Sequence, residues 1–357
     1  MKKYLGNSSH LHINGILRQH NIQKVFLVSN RNSFFKGGIW EYLRNILGGC
    51  DFLRFYDFNI NPQFDDLLKG IETFLQYDPD LIMGIGGGSA MDMAKLIRHL
   101  AAYPVIDKKT IINSGKDYKS TTPLMLIPTT SGSGSEATRF AVLYIDGVKH
   151  SLCHDSILAD YAIVDGLFSA KLPEYITAYT AIDAVCQAVE SYWAKGADKK
   201  SRSYALKGLR YLVPSICDAV TRPNLQLREK MAIGSFYAGQ AINISKTTLP
   251  HALSYYLTSK YNLAHGHAVG IILPYFLIAN TNKMDITPVL KVFKVQSPAE
   301  LQSRFITIMR KIGLYMRIED IIKTDMEPFI DAVNRERMIN NPVSFTKEQL
   351  ISIFKSR

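Results

Sequence analysis

The sequence predicts an α/β N-terminal domain built on a parallel sheet, followed by an all-α C-terminal domain. Three observations lead there. Across the first half, short β-branched or apolar runs alternate with longer stretches of helical spacing, the rhythm of βαβ units. After about Asp165 the strand signals nearly vanish and helix follows helix. One early strand runs into three adjacent glycines and then a helix, an arrangement suited to a dinucleotide phosphate.

KVFLVSN (24–30) reads as a strand, GGIWEYLRNIL (37–47) as a helix, DFLRFYDF (51–58) as a strand and DDLLKGIETFLQY (65–77) as a helix. DLIMGIGGGS (80–89) is a strand entering the glycine loop and MDMAKLIRHLAAY (91–103) its helix. PLMLIPTTSGSGSE (123–136) is a strand entering a second, hydroxyl-rich loop. The boundary is expected at AIVDGLFSAKLPEY (162–175), where a glycine and Pro173 mark a connection, giving domains at 1–167 and 168–357. Helices are expected over 176–196, 201–220, 227–245 and from 299 onward.

The net charge of +11 is spread along the chain with no run of five or six basic residues, so nucleic acid is not the expected partner. The charge is compatible with a small anionic ligand. Four cysteines lie far apart without a Cys-x-x-Cys pair, which points to a reduced, cytoplasmic setting. MKKYLGNSSH lacks the apolar core of a secretory signal, and AVGIILPYFLIA (268–279) is too short to span a bilayer, so no membrane partner is expected.

Gly86, Gly87 and Gly88 let backbone N–H groups approach a bulky anion, and the following helix N-terminus adds partial positive charge. Ser89 and Asp92 have capping-box spacing and are expected to set where that helix starts. The second loop offers Thr129, Thr130 and Ser133. The first strand ends at Asn30 and Arg31. A carboxylate there would repel a 2′-phosphate, and its absence favours NADPH or use of both NADPH and NADH.

Asp183 and Gln187 sit four apart in helical spacing and share one face. Further on come His251, His265 and His267. Taken singly, each histidine is more often a packing residue than a ligand. Together with the two oxygen donors upstream they compose an O/N set that suits Fe or Zn.

The motifs GIGGGSAMDMAK, IPTTSGSGSEAT, AIVDGLF, IDAVCQAVES and HGHAVGIILP stand in the order and spacing of the iron-dependent (group III) alcohol dehydrogenases, and from about residue 24 to 280 the chain resembles that family. The resemblance implies the family's dehydroquinate synthase-like fold. It implies metal ligands at Asp183, Gln187, His251 and His265, with Gln187 standing where the family has a histidine, so the metal is expected to be weakly held. It also implies that Thr129, Thr130, Ser133 and Lys149 line the cofactor. Tyr255, where the family often has a histidine, or His267 would give the proton. An initial strand before KVFLVSN looks missing or much reduced, which puts a dimer contact at that edge in doubt, although the helical half offers surface for a homo-oligomer.

The implied activity is metal-assisted hydride transfer between a nicotinamide and an alcohol or aldehyde. The Gln variant and KTTLPHALSYYLT (246–258) are similar to a branch that includes phosphonoacetaldehyde reductases, which suggests an anionic aldehyde. The alternatives are a sugar-phosphate cyclase of the dehydroquinate synthase type and a non-catalytic nucleotide-binding relic.

Overall fold

In the computed structural model the chain forms two compact units, Met1–Thr130 with Gly134–Leu172, and Ser131–Ser133 with Pro173–Arg357. The structure describes residues 1–31, 33–36, 38–108, 111, 118, 120–281, 284–323, 326–333 and 335–355. The division at 172 falls a few residues after the expected one, and Gly37 of the second predicted element lies outside the described residues.

The first unit is a six-stranded sheet. Its strands are β1 (Lys2–Leu5), β2 (Lys24–Ser29), β3 (Asp51–Phe55), β4 (Leu81–Gly86), β5 (Leu124–Pro128) and β8 (Tyr161–Val164), in the order β1-β8-β5-β4-β2-β3 and all parallel. The central strands are apolar on both sides because both faces are covered. On one face Phe26, Val28, Ile82, Leu124 and Leu126 join a core with Leu67 and Ile71 of the Phe64–Tyr77 helix and Met93, Ala94 and Ile97 of the Gly88–Leu100 helix. On the other, Val25, Leu27, Met83, Ile85 and Ile127 pack with Ile13 and Ile16 of the His12–Gln19 helix and Leu43 of the Ile39–Ile46 helix. A side-chain period of two splits each strand between the two cores.

Three features depart from expectation. The initial strand is present: β1 is a four-residue edge strand that pairs with all of β8. The AIVDGLF stretch, expected as a connection, supplies most of β8, which lies between β1 and β5. A separate antiparallel hairpin of β6 (Phe140–Ile145) and β7 (Val148–Cys153) was not anticipated, although Asp146-Gly147 between alternating apolar residues is its signal. Both turn residues have positive φ, 52° and 78°, as a type I′ turn demands.

The second unit is helical, as expected. Its core gathers Ile182, Val185 and Val189 of the Glu174–Trp193 helix with Leu209, Ala238, Leu253, Ile272 and Phe305 from five further helices. Among the described residues no helix is long and apolar enough to cross a membrane.

One buried group makes the first unit acid-sensitive. His99 is 1% exposed, with Nδ1 2.6 Å from Ser156 Oγ and its ring centroid 4.9 Å from that of His154, the two planes tilted by 30°. Burial, then the neighbouring His154 and Arg98, pulls its pKa down to about 4. The unfolded chain takes up this proton near pH 6.5 and the folded chain does not, so stability is complete above that pH and falls as pH drops toward 4. Between pH 7 and pH 5 the loss should be about 2 kcal/mol from this group. Urea unfolding at the two pH values, with His99→Asn beside the parent, measures it: the variant should lose less by about that amount, and an equal loss would refute the assignment.

Candidate functional site

The Glu174–Trp193 helix buries every residue from Ala181 to Trp193, polar ones included. Asp183, Gln187 and Glu190 recur at intervals of four and three, so all three project from one face. Burial of such groups costs several kcal/mol unless they are paired, and the partners come from two other helices. Thr248 caps the Leu249–Tyr261 helix, Pro250 stands in its first turn, and His251 follows. His265 opens the His265–Thr281 helix. Gly266 is obligatory there: a Cβ on it would lie 1.9 Å from the Tyr179 carbonyl oxygen and 2.7 Å from Asp183 Cβ. Only glycine lets the start of this helix press against the one bearing Asp183.

Asp183, His251 and His265 each offer a ligand atom within 4.8 Å of the others. His251 Nδ1 contacts Glu190 Oε1 in a short hydrogen bond, and its Nε2 lies 3.3 Å from Asp183 Oδ1, too poorly aligned for a hydrogen bond. His265 Nδ1 lies 3.4 Å from Ser254 Oγ, and that hydroxyl donates to the His251 carbonyl at 2.7 Å. Gln187 Nε2 donates to Asp183 Oδ2 at 3.2 Å. The carboxylate fixes the amide orientation, because the reverse would set two oxygens against each other. Gln187 Oε1 and Asp183 Oδ1 are left buried with no hydrogen-bond partner.

Two desolvated oxygens without donors, beside two imidazoles, are what a divalent cation would satisfy. The electrostatics agree. Burial alone would pull the His251 imidazolium down, but Glu190 and Asp183 outweigh it and raise its pKa to about 10. Burial raises Asp183, yet His251 and His265 more than offset this and hold it below the usual carboxylate range. The pocket thus favours positive charge, which the His251 proton supplies here and a divalent cation would replace. The donor set fits iron or zinc.

The two predicted proton donors part company. Tyr255 stacks on His265, ring centroids 5.7 Å apart and 19° from parallel. His267 lies outside the ligand group: its Nε2 faces the Leu314 carbonyl at 2.8 Å, which makes that nitrogen the protonated one. Its Nδ1 is buried without a hydrogen bond, and burial lowers its pKa. His267 therefore anchors Leu314 to its helix.

In the first unit, Gly86 has φ +155°, and a Cβ there would meet Ala90 Cβ and Asn30 Oδ1, both at 2.7 Å. Asn30 is thereby placed beside the glycine loop, and Thr129 N donates to the Gly86 carbonyl at 2.9 Å, joining the two loops. Thr130 lies over Gly87, its Oγ1 3.5 Å from where a Cβ would stand. Arg31 pairs with Asp57, and both are exposed.

The expected capping box does not form. The helix starts at Gly88, one residue before Ser89, with Gly87 at its N-cap and no side-chain cap. Ser89 Oγ instead accepts from Asn61 N at 3.1 Å. Asp92 accepts from Ser135 Oγ at 2.6 Å and Val142 N at 3.0 Å, which ties the second loop and the strand after it to this helix. Lys149 on β7 is close enough for its charge to lower Asp92's pKa, although burial keeps that pKa raised. Ser133 folds with the second unit, where Gly132 lies against Thr180.

Sequence reasoning missed Lys95. Its fully buried ammonium donates to Ser135 Oγ (2.8 Å), Thr138 Oγ1 (3.1 Å) and the Phe140 carbonyl (2.8 Å). Burial lowers its pKa to about 8 against the pull of Asp92 and Glu136. Glu190 was missed as well, although its place seven residues after Asp183 on the ligand face was a usable signal.

The profile of the iron-containing alcohol dehydrogenases matches residues 2–166, and that of the C-terminal domain of the Fe-containing alcohol dehydrogenase family matches residues 177–357. The chain belongs to the iron-containing alcohol dehydrogenase family. It is similar to long-chain-alcohol dehydrogenase 1 of Geobacillus thermodenitrificans (strain NG80-2), 39% identical over 201 residues, 56% of this chain and 51% of that protein. The match therefore spans about half the length of that relative. It is also similar to the NAD-dependent methanol dehydrogenase of Bacillus methanolicus, 31% identical over 276 residues, 75% of this chain and 72% of that protein. Among solved structures, sulfoacetaldehyde reductase from Bifidobacterium kashiwanohense in complex with NAD+ matches with a TM-score of 0.91 and 26% identity, over 100% of this chain and 96% of that one.

In this member of the iron-containing alcohol dehydrogenase family, restoring an imidazole at position 187 should strengthen metal binding. Gln187→His should hold Zn(II) about tenfold more tightly than the parent, and Gln187→Leu about tenfold more weakly, since a nitrogen donor outranks a neutral amide oxygen. Competition with a chromophoric chelator reads both, and identical affinities in all three proteins would remove Gln187 from the site.

Proposed function

We propose that the chain is a metal-assisted, NAD(P)H-linked reductase of a small anionic aldehyde. The observation that carries this reading is the pair of bare, buried oxygens on Asp183 and Gln187 beside His251 and His265. A divalent cation supplies Lewis-acid polarisation of a carbonyl oxygen and a nicotinamide supplies hydride. The chain's own residues do the rest. Asp183, Gln187, His251 and His265 hold the cation. Gly86, Gly87 and Gly88 give backbone room for the dinucleotide phosphates, with Thr129 and Thr130 as hydroxyl donors. Tyr255, its ring against His265, returns a proton to the reduced oxygen.

Two facts support the anionic class: the net charge of +11, and the likeness to a reductase whose aldehyde bears a sulfonate. Cofactor choice follows from Asn30, which presents a neutral amide beside Gly86 where a carboxylate would repel a 2′-phosphate. Arg31 follows it, and its exposed guanidinium would leave Asp57 to pair with the 2′-phosphate, so the reading includes use of NADPH.

Oxidation of NADPH with aldehydes bearing a sulfonate, phosphonate or carboxylate, against neutral aldehydes of equal length, tests the proposal. Anionic aldehydes should show kcat/KM at least about tenfold higher, the gain of one charge-assisted hydrogen bond. Chelation should abolish turnover, and Zn(II) or Fe(II) should restore it. Equal rates for charged and neutral aldehydes would overturn the substrate class; chelator-resistant turnover would overturn the metal. Sustained one-to-one oxidation of NADPH excludes cyclase chemistry, which returns its cofactor.

Arg31 offers a narrower check. Arg31→Ala should raise the KM for NADPH about tenfold and leave that for NADH within about twofold. Equal changes for both cofactors would show that Arg31 does not read the 2′-phosphate.

A further inference from the structure

Glu190 has no exposed surface, and burying a carboxylate is costly unless its oxygens are fully bonded. Here they are. Oε1 meets His251 Nδ1, while Oε2 accepts from both Thr248 N and Thr248 Oγ1 at 2.7 Å. Thr248 Oγ1 in turn accepts from Trp193 Nε1 at 3.0 Å. Every proton in this chain runs one way, from Trp193 to Thr248 to Glu190, and Glu190 is left an acceptor on all sides. His251 must therefore place its proton on Nδ1, and its Nε2 is the nitrogen turned to Asp183 Oδ1.

We propose that Glu190 is a positioning residue for the metal site: it fixes the His251 ring and tautomer so that Nε2 is the free donor. The inference rests on the reading of Asp183, Gln187, His251 and His265 as ligands. It goes beyond that reading by assigning a purpose to a buried charge that helix packing alone does not require, since an apolar side chain of similar volume fills such a position at no electrostatic cost. A carboxylate on the far nitrogen of a ligating histidine also raises its basicity as a donor.

In Glu190→Gln a single carbonyl oxygen must serve the two Thr248 donors, which turns the amide N–H groups toward His251. Nδ1 is then forced to accept, the ring proton moves to Nε2, and the donor facing Asp183 is lost. The shape of the side chain is unchanged.

The test uses the full chain, stripped with chelator and titrated with Co(II) chloride, reading affinity and the visible ligand-field bands. Glu190→Gln should weaken Co(II) binding by about tenfold to a hundredfold and alter the bands. Far-UV circular dichroism checks folding. Should Glu190→Gln fail to fold, Thr248→Val and Thr248→Ser decide: the valine variant should weaken Co(II) by about threefold to tenfold, and the serine variant, which keeps the hydroxyl, should match the parent. A folded Glu190→Gln with parental affinity and spectrum would overturn the proposal, as would Val and Ser variants of equal affinity. A parent that binds no Co(II) would remove the ligand reading itself and this inference with it, whereas a parent that binds while Glu190→Gln is unaffected removes only the inference.

Discussion

The desolvation of a polar row on one helix face governs the second unit. Asp183, Gln187, Glu190 and Ser191 are all carried into the protein by the stretch Ala181–Trp193, whose remaining residues belong to the core. The carboxylates cannot stay there unanswered. His251 answers both at once, one nitrogen toward Glu190 and the other toward Asp183. Thr248, Ser245 and Trp193 complete the arrangement, Ser245 Oγ donating to Ser191 Oγ at 2.7 Å. The start of the Leu249–Tyr261 helix is thus positioned by the charge it must neutralise, and the histidine arrives at the site as a consequence.

The same constraint shapes the first unit with the sign reversed. There the buried charge is the Lys95 ammonium, and its three donors reach Ser135, Thr138 and the Phe140 carbonyl. These three residues lie in and just after the second loop, so the lysine fixes that loop to the helix that follows the glycines. Asp92, one turn earlier, takes the Ser135 hydroxyl and Val142 N. Lys95 and Asp92 together tie the second loop to the helix that follows the glycines, whose backbone N–H groups are the right tool for a phosphate.

How much of this was legible depends on whether the signal is local. The parallel sheet was readable because β2 is apolar from Val25 to Val28 and β4 and β5 are apolar throughout, and the helical second half because its runs keep one spacing. The Asp183 and Gln187 pairing was readable from spacing alone. β8 was not, because its four residues precede a glycine and a proline that also spell a connection. The capping box failed for a related reason: the spacing of Ser89 and Asp92 permits it, but Asn61 and Ser135, both distant in sequence, compete for the same oxygens. Nothing in HGHAVG reveals the Leu314 carbonyl that His267 faces.

Charge, donor strength and burial all bear on Gln187. An amide in place of a neutral imidazole leaves the charge of the ligand set unchanged, so the electrostatic case for a cation survives the substitution. What changes is donor strength, since an amide oxygen is a weaker and harder ligand than an imidazole nitrogen. The amide also has a second hand, and it uses it: Nε2 holds Asp183 Oδ2, which turns Oδ1 and Gln187 Oε1 out together as the two bare oxygens. An abandoned site would be expected to fill such vacancies with donors or apolar bulk, because each unsatisfied buried oxygen costs about 1–3 kcal/mol. Here both remain, alongside a Glu190 whose burial is costlier still. With the four residues read as ligands, as proposed above, the pattern is that of a retuned site, one that accepts a looser hold on its cation in exchange for an oxygen donor at the fourth position.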